Sequence, residues 1–113
     1  ESDLRVAAGD HIVFGSGAGG VPDGPDYEYG YFEFTLANSG EDLVLARASG
    51  IIDHVSFGGP LWTFAPGASL SLSSALTDAE ENDNSTAWCL GTDEYDGAGG
   101  PRGTPGTANP ACP

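Results

Sequence analysis

Apolar and polar residues alternate along several short stretches of the chain, and turn residues separate these stretches. Within positions 29–36, Phe32, Phe34 and Leu36 alternate with more polar neighbours. A period of two with one polar face is typical of a half-buried β-strand. Further strands are predicted at 11–14, 43–47, 51–57, 69–73 and 88–90, and one helical turn within 75–81. Short strands and turns in this order predict an antiparallel all-β domain.

The middle of the chain predicts a β-hairpin. Ala48, Ser49 and Gly50 form a short turn between the alternating runs 43–47 and 51–57, so these runs are expected to pair. One end of the core is expected to be closed by an apolar loop with Leu61, Trp62 and Phe64. The predicted core comprises Val13, Phe32, Phe34, Leu36, Leu43, Leu45, Val55, Phe57, Leu70, Leu72 and Trp88.

The length predicts a single domain. A chain of 113 residues supplies one core and no second unit, so we expect one domain over 1–113 with a Gly- and Pro-rich tail at 97–113. No apolar run approaches the roughly 20 residues that span a membrane. Because the sequence opens at Glu1 and contains no Met, we interpret it as the processed or excised part of a longer product.

The charge is strongly unbalanced. Seventeen acidic residues face three basic ones, Arg5, Arg47 and Arg102, which gives a net charge of −14 without a single Lys. Such a surface repels nucleic-acid phosphates and anionic lipid, so neither nucleic acid nor a membrane is expected as a partner. The same charge favours solubility and the uptake of cations.

The two cysteines, Cys89 and Cys112, predict a disulfide that closes a loop of a little over 20 residues and stabilises the fold by about 3 kcal/mol. A disulfide indicates a compartment outside the cytoplasm, so an extracellular or cell-surface location is expected. The alternatives are two free buried thiols, or a zinc site with His11 and His54. The zinc site lacks every usual ligand spacing.

The segment 78–84 is the strongest candidate for binding chemistry. Its carboxylates Asp78, Glu80, Glu81 and Asp83 lie within six positions, and oxygen ligands at this density suit Ca²⁺. The alternative is a solvated acidic loop. We also note that Asn84 opens an Asn-Ser-Thr sequence, the acceptor pattern for N-glycosylation.

The candidates for catalysis are weak. The glycine pattern that begins at Gly15 and Gly17 resembles a dinucleotide loop, but Pro22 follows where that motif requires a helix. His11 and His54 each lie within a strand pattern, with no nucleophile-elbow spacing nearby. We therefore predict no catalytic or cofactor-binding residue and no enzymatic activity.

Aromatic side chains offer a further possible ligand surface. Rings on one sheet face stack well on sugar rings, although tyrosines on an outward face more often form half-buried surface. The tyrosines that raise the possibility of carbohydrate binding are Tyr27, Tyr29, Tyr31 and Tyr95.

Several of these motifs together resemble the lamin-tail family, in its bacterial secreted branch. Positions 36–45 (LANSGEDLVL) and 50–57 (GIIDHVSF) are similar to the central hairpin of that family. The run 67–70, the segment from Asn84 to Trp88 and the closing GTPGTAN at 103–109 are similar to its second half. The resemblance covers most of residues 4–109 and implies an Ig-like β-sandwich.

One departure from the family pattern affects the expected assembly. Family members begin with a strand pair near an acidic "EWIELYN" type segment and a "DLSGW" turn, and neither is present here. A sandwich without these strands exposes unpaired backbone groups. We therefore expect a strand from a protein partner, a second copy or a cleaved-off segment to complete the sheet by strand addition. The alternative is a divergent but complete small sandwich.

The function expected from these features is that of a non-enzymatic extracellular structural or interaction module, which acts in protein association or assembly. One alternative is the accessory domain of a larger secreted hydrolase or nuclease. Another is a Ca²⁺-dependent carbohydrate-binding module.

Overall fold

The computed structural model describes residues 5–16, 24–30, 36–37, 39–95 and 97–113. Among them lie six strands and two short 3-10 helices, and no α-helix. The strands are β1 (Phe14–Gly15), β2 (Tyr27–Glu28), β3 (Gly40–Arg47), β4 (Gly50–Gly58), β5 (Leu70–Leu72) and β6 (Trp88–Leu90). The 3-10 helices are Glu81–Asp83 and Ser85–Ala87. The chain is all-β, as predicted, and no helix within these ranges is long and apolar enough to span a bilayer.

The described strands form three two-stranded sheets. β3 and β4 pair antiparallel, as do β5 and β6, whereas the two-residue strands β1 and β2 pair parallel. The predicted hairpin is confirmed, and its strands extend beyond 43–47 and 51–57 at the end away from the turn. At the turn itself, Gly50 belongs to β4 and pairs with Arg47, so the turn consists of Ala48 and Ser49. The helical turn expected within 75–81 lies later: the first 3-10 helix begins at Glu81 without a side-chain cap, and the Asn84 side chain caps the second.

The register of the hairpin decides which side chains share a face. Leu43 lies opposite Val55, and Leu45 lies opposite Asp53. Because paired residues of an antiparallel sheet point to the same side, all four belong to one face. A register shift follows Leu45, so that Ile52 is the extra residue of a β-bulge. The bulge increases the local twist of the hairpin before its turn.

Two glycines allow the strands to approach at the other end of the hairpin. Gly40 and Gly58 lie opposite each other with φ of 134° and 126°. A Cβ on Gly58 would lie 2.6 Å from the carbonyl oxygen of Ser39 and 2.6 Å from the Cα of Gly40. Only glycine therefore permits this register without displacing the backbone.

The apolar core of the described residues is small. Val55 and Ala87, 8% and 1% exposed, are the only buried hydrophobic residues among them. The predicted core residues Leu36 and Leu45 are 49% and 54% exposed, so both predictions are wrong. Leu45 lies at the β-bulge, where the hairpin extends away from the rest of the domain. The predicted core residues that are half-buried are Val13, Leu43, Phe57, Leu70, Leu72 and Trp88, and Phe32 and Phe34 lie outside the described residues.

Aromatic rings join β4 to β6. The ring of Trp62 lies 6.4 Å from that of Phe57 and 6.0 Å from that of Trp88, and Phe64 lies 6.1 Å from Phe57. These separations are those of favourable edge-to-face and tilted pairs. The predicted apolar loop therefore packs through Trp62, whereas Leu61 is 80% exposed and closes nothing.

The end of the chain is fastened to β5. A disulfide joins Cys89 of β6 to Cys112, with a Cα–Cα distance of 5.8 Å. The backbone N–H of Cys112 donates to the Ser73 hydroxyl at 3.0 Å, and the Asn109 amide donates to the carbonyl of Leu72 at 2.8 Å. The tail therefore folds back along the strand that also pairs with β6.

Candidate interaction surface

The distal half of the β3–β4 hairpin projects into solvent. Every residue from 44 to 52 is exposed, and we call this segment the aliphatic finger. Its large side chains are uncovered: Val44 and Leu45 are each 54% exposed, Ile51 is 69% and Ile52 is 49%. Closer to the body, Leu43 is half-buried and Val55 is buried.

Local sequence explains why the aliphatic finger forms a hairpin although it buries so little. Its branched residues favour extended backbone, and Gly50 supplies the φ of 140° with which the chain leaves the turn. Val44 and Leu45 are consecutive in β3 and point to opposite faces. Apolar surface is therefore exposed on both sides of the finger.

The aliphatic finger differs from the rest of the chain in charge. It contains Arg47 and no acidic residue, so its charge is +1. Because the net charge of the chain is −14, the remaining residues together carry −15. Arg47 is exposed, and the only ion pair within the described ranges joins His54 to Asp42. Its guanidinium is thus free to meet an acidic surface.

A second apolar surface lies at the opposite end of β4. It is a cleft of about 560 Å³, which we call the apolar cleft. Among the described residues its lining consists of Leu36, Ala37, Phe57, Phe64, Ala65, Pro66, Ala68, Leu70 and Leu90. Apolar side chains without a charged neighbour in the lining suit an aliphatic ligand.

A polar cluster occupies the face of the hairpin opposite Val55. The Ser56 hydroxyl donates a short hydrogen bond to the Asp42 carboxylate, and His54 Nε2 lies 3.5 Å from the same carboxylate oxygen. The Ser56 hydroxyl, followed by His54, holds the pKa of Asp42 below its usual value of 3.8. The sequence carries one signal for this cluster: pairing of the two predicted strands places Asp42 opposite Ser56, on the same face as His54.

This polar cluster lacks the arrangement of a hydrolytic triad. His54 presents the same nitrogen to Asp42 and to Ser56, which lies 3.4 Å from it. In a triad the acid and the nucleophile contact different imidazole nitrogens. The described contacts therefore orient Asp42 and do not activate Ser56.

Asn82 connects the acidic loop to the hairpin and to β6. Its side chain is 4% exposed, and its Nδ2 donates to the Asp53 carboxylate at 2.6 Å. Its backbone carbonyl accepts the indole N–H of Trp88 at 2.7 Å, and its backbone N–H donates to the carbonyl of Asp78 at 2.9 Å. Its Oδ1 has no hydrogen-bond partner. From the sequence, Asn82 is predicted only as one of the amides of the acidic segment 78–84, and not as a buried hydrogen-bonding residue.

The carboxylates predicted to bind Ca²⁺ are all exposed: Asp78, Glu80, Glu81 and Asp83. Asp78 Oδ1 accepts the backbone N–H of Glu80 at 2.8 Å, which fixes the loop locally. Within the described parts of the chain, no three side chains of His, Cys, Asp or Glu converge on one metal position. The calcium site therefore stays a prediction, to be checked by whether the melting temperature rises with Ca²⁺ and falls with chelator.

The other predicted ligand residues are dispersed. Asn84 is exposed, and its Oδ1 accepts from the backbone N–H and the hydroxyl of Thr86 at 3.0 and 2.9 Å. Its glycosylation stays a prediction. Tyr27 is 44% exposed and its ring lies 6.0 Å from that of Phe14. Tyr31 and the glycine pattern after Ser16 lie outside the described residues.

Comparison of the chain with models of protein families, with curated proteins and with solved structures finds no match. The resemblance to lamin-tail domains rests on sequence motifs alone.

Proposed function

We propose that the chain is a non-enzymatic extracellular module of protein association, built as a lamin-tail-type β-sandwich that a partner completes by strand addition. The observation that carries the proposal is the exposure of Val44, Leu45, Ile51 and Ile52 on the aliphatic finger. Several large aliphatic side chains exposed on both faces of one short hairpin are costly to keep in water and favour an interaction surface.

The small core supports the same function. Val55 and Ala87 are the only buried hydrophobic residues in the described ranges, whereas several larger ones are exposed. Contact of these exposed side chains with a partner would add to the apolar burial that offsets the conformational entropy lost on folding.

The form of the hairpin supports strand addition. β3 and β4 have eight and nine residues and are the longest strands within the described ranges. Exposed strands of this length present backbone donors and acceptors to an extended segment of another chain. Alternating side chains of that segment would then meet the aliphatic finger on one face.

An extracellular location is supported by the pairing of Cys89 with Cys112 and by the acidic composition. Disulfides persist in oxidising compartments and are rare in the cytoplasm.

A photo-crosslinking amino acid in place of Ile51 tests the proposal. The same amino acid in place of Leu61, which is 80% exposed but lies outside the aliphatic finger, is the matched control. In the native extracellular fraction we expect a discrete adduct from position 51, either with another protein or with a second copy, and none from position 61.

Hydrogen exchange of the purified adduct then tests strand addition. Added main-chain hydrogen bonds would slow the exchange of amides in β3 or β4 relative to the free chain. Absence of any adduct from position 51, or equal labelling from both positions, would overturn the proposed function.

A further inference from the structure

We propose that a groove beside β6 binds an extended, positively charged segment of another protein, which pairs with the free edge of this strand. The inference goes beyond the proposed function, because the groove lies on β6 and does not involve the aliphatic finger. It is carried by four unpaired backbone groups of the strand edge, by the groove that contains this edge, and by one carboxylate without a partner.

The groove follows the edge of β6. It has a volume of about 470 Å³ and contacts six consecutive residues, 88–93. Successive side chains of a strand point to opposite faces, so a groove on one face would meet only every second side chain. Contact with all six residues therefore places the groove along the edge of the strand. We call it the β6 groove.

The hydrogen bonds between β5 and β6 leave backbone groups at this edge unpaired. The backbone N–H of Gly91 donates to the carbonyl of Ser69 at 2.8 Å. Because every second residue of an antiparallel strand bonds to its partner strand, Trp88 and Leu90 direct their backbone groups away from β5. Within the described ranges, the carbonyl of Trp88, both backbone groups of Leu90 and the N–H of Thr92 have no hydrogen-bond partner.

The tail of the chain lines the β6 groove without pairing with this edge. Pro110, Ala111 and Pro113 belong to the lining, and the disulfide between Cys89 and Cys112 holds them beside β6. The two prolines have no backbone N–H, so this part of the tail cannot form a regular strand ladder. The edge therefore stays available to a segment from outside.

The unpaired groups define the backbone chemistry of the ligand. Donors and acceptors that repeat along a strand edge are matched by the backbone of an extended polypeptide, as in strand addition to an open sheet. The added hydrogen bonds would satisfy the groups of Trp88, Leu90 and Thr92. We therefore infer a polypeptide segment and not a compact small molecule.

The charge of the groove defines the side chains of the ligand. Asp93 is exposed in the lining, and no hydrogen bond or ion pair of the described residues engages its carboxylate. The described lining contains no Lys or Arg, and the whole chain has a net charge of −14. A segment with Lys or Arg complements this surface, whereas a second copy of the chain is repelled. The partner is therefore a different protein.

The experiment begins with a displayed library of random twelve-residue peptides, selected against the purified, disulfide-bonded chain. Selection at high ionic strength screens the long-range attraction of any cation to the acidic surface. We expect the selected peptides to contain strand-favouring residues and at least one Lys or Arg.

Synthetic copies of a selected peptide, N-methylated at every second residue, test the pairing of backbones. Methylation removes the N–H donor, and only one of the two alternating sets of amides faces the strand edge. We expect one methylated copy to bind about tenfold or more weakly than the parent peptide and the other copy to retain most of the affinity.

The position of the peptide is tested by hydrogen exchange and by a pair of charge variants. Bound peptide should slow the exchange of the Leu90 and Thr92 amides. Asp93→Asn should weaken binding by about twofold to fivefold, as expected for an exposed ion pair. Asp83→Asn is the control, because Asp83 is an equally exposed carboxylate outside the groove, and its loss should leave the affinity unchanged.

The inference is overturned if no peptide is selected, if both methylated copies bind as tightly as the parent, or if the two Asp variants weaken binding equally. Slowed exchange confined to β3 or β4 also overturns it and supports the proposed function. Slowed exchange at Leu90 and Thr92, without an adduct from position 51, removes the proposed function and leaves this inference standing.

Discussion

The side-chain amide of Asn82 donates a 2.6 Å hydrogen bond to the carboxylate of Asp53, 29 positions earlier in the chain. The same carboxylate accepts the backbone N–H of His54 at 2.8 Å. Since the backbone of Asn82 also bonds to Trp88 and Asp78, this one residue holds the acidic loop against the hairpin and β6.

Replacement of Asn82 by Asp should destabilise the protein. The substitution removes the N–H donor and places a second carboxylate beside Asp53 in a buried position, at a cost of about 2–4 kcal/mol. Urea denaturation at neutral pH measures this loss.

The double variant Asn82→Asp/Asp53→Asn provides the control. It exchanges amide and carboxylate, so one N–H···O hydrogen bond is regained with a single negative charge at the pair. We expect it to recover a measurable part of the lost free energy. If it is as unstable as the sum of the two single variants, the contact between Asn82 and Asp53 contributes nothing.

Replacement of Ser56 by Ala should raise the pKa of Asp42. The Ser56 hydroxyl is the main cause of the lowered pKa, because its hydrogen bond favours the ionised carboxylate, and His54 acts in the same direction. A carboxyl-detected NMR titration of the unaltered chain, Ser56→Ala and His54→Ala measures the effect. We expect the larger rise in Ser56→Ala, and a larger rise in His54→Ala would contradict the assignment.

The sign of the associated stability follows from linkage. A carboxyl group whose pKa is lower in the folded state stabilises the fold fully above its unfolded pKa of 3.8, and this stabilisation is lost as the pH falls through the folded pKa. Ser56→Ala should therefore be less stable than the unaltered chain near neutral pH. The difference should narrow in acid, below the usual carboxyl range.

Loss of the disulfide should destabilise the protein by about 3 kcal/mol, because the bond between Cys89 and Cys112 restrains a loop with a sequence separation of 23. Urea denaturation with and without reductant measures the change. The chain has no other cysteine, so the variant Cys89→Ser/Cys112→Ser should match the reduced chain and be insensitive to reductant. A stability unaffected by either treatment would show that the tail does not depend on the bond.

Replacement of Gly58 by Ala should destabilise the hairpin more than replacement of Gly50. Both glycines have positive φ, 126° and 140°, and any side chain there costs about 1 kcal/mol in backbone strain. At Gly58 the added Cβ also collides with the carbonyl of Ser39, whereas at Gly50 it meets nothing within 4 Å. We expect a further loss of about 1–2 kcal/mol for Gly58→Ala, and equal melting temperatures of the two variants would contradict the close approach of the strands.

The hairpin could be predicted from sequence because the residues that specify it lie close together in the chain. The alternation of Leu43 and Leu45, the turn residues 48–50 and the alternation around Val55 all lie within one short segment. Strands β5 and β6 were likewise marked by their own patterns. The pairing of Cys89 with Cys112 was favoured because no other cysteine competes.

The burial of individual residues could not be predicted in the same way. Leu43 and Leu45 lie on the same face of β3 and belong to the same alternating pattern, yet Leu43 is half-buried and Leu45 is exposed. The β-bulge after Leu45 marks the point at which the hairpin extends away from the rest of the domain. The role of Asn82 depends on a contact with Asp53 far away in sequence, for which no periodicity gives a signal. Which residues are exposed, and which polar side chains meet, therefore depends on tertiary packing. The alternation of apolar and polar residues along a strand does not encode that packing.

The exposed position of Arg47 also makes the turn of the hairpin a natural point of tryptic cleavage. Without Lys, the chain offers trypsin only Arg5, Arg47 and Arg102, so its digest contains very few peptides. A cut after Arg47 falls at Ala48 in the turn and severs the hairpin while leaving β3 and β4 side by side. The rate of that single cut therefore reports, without any label, whether a partner covers the aliphatic finger.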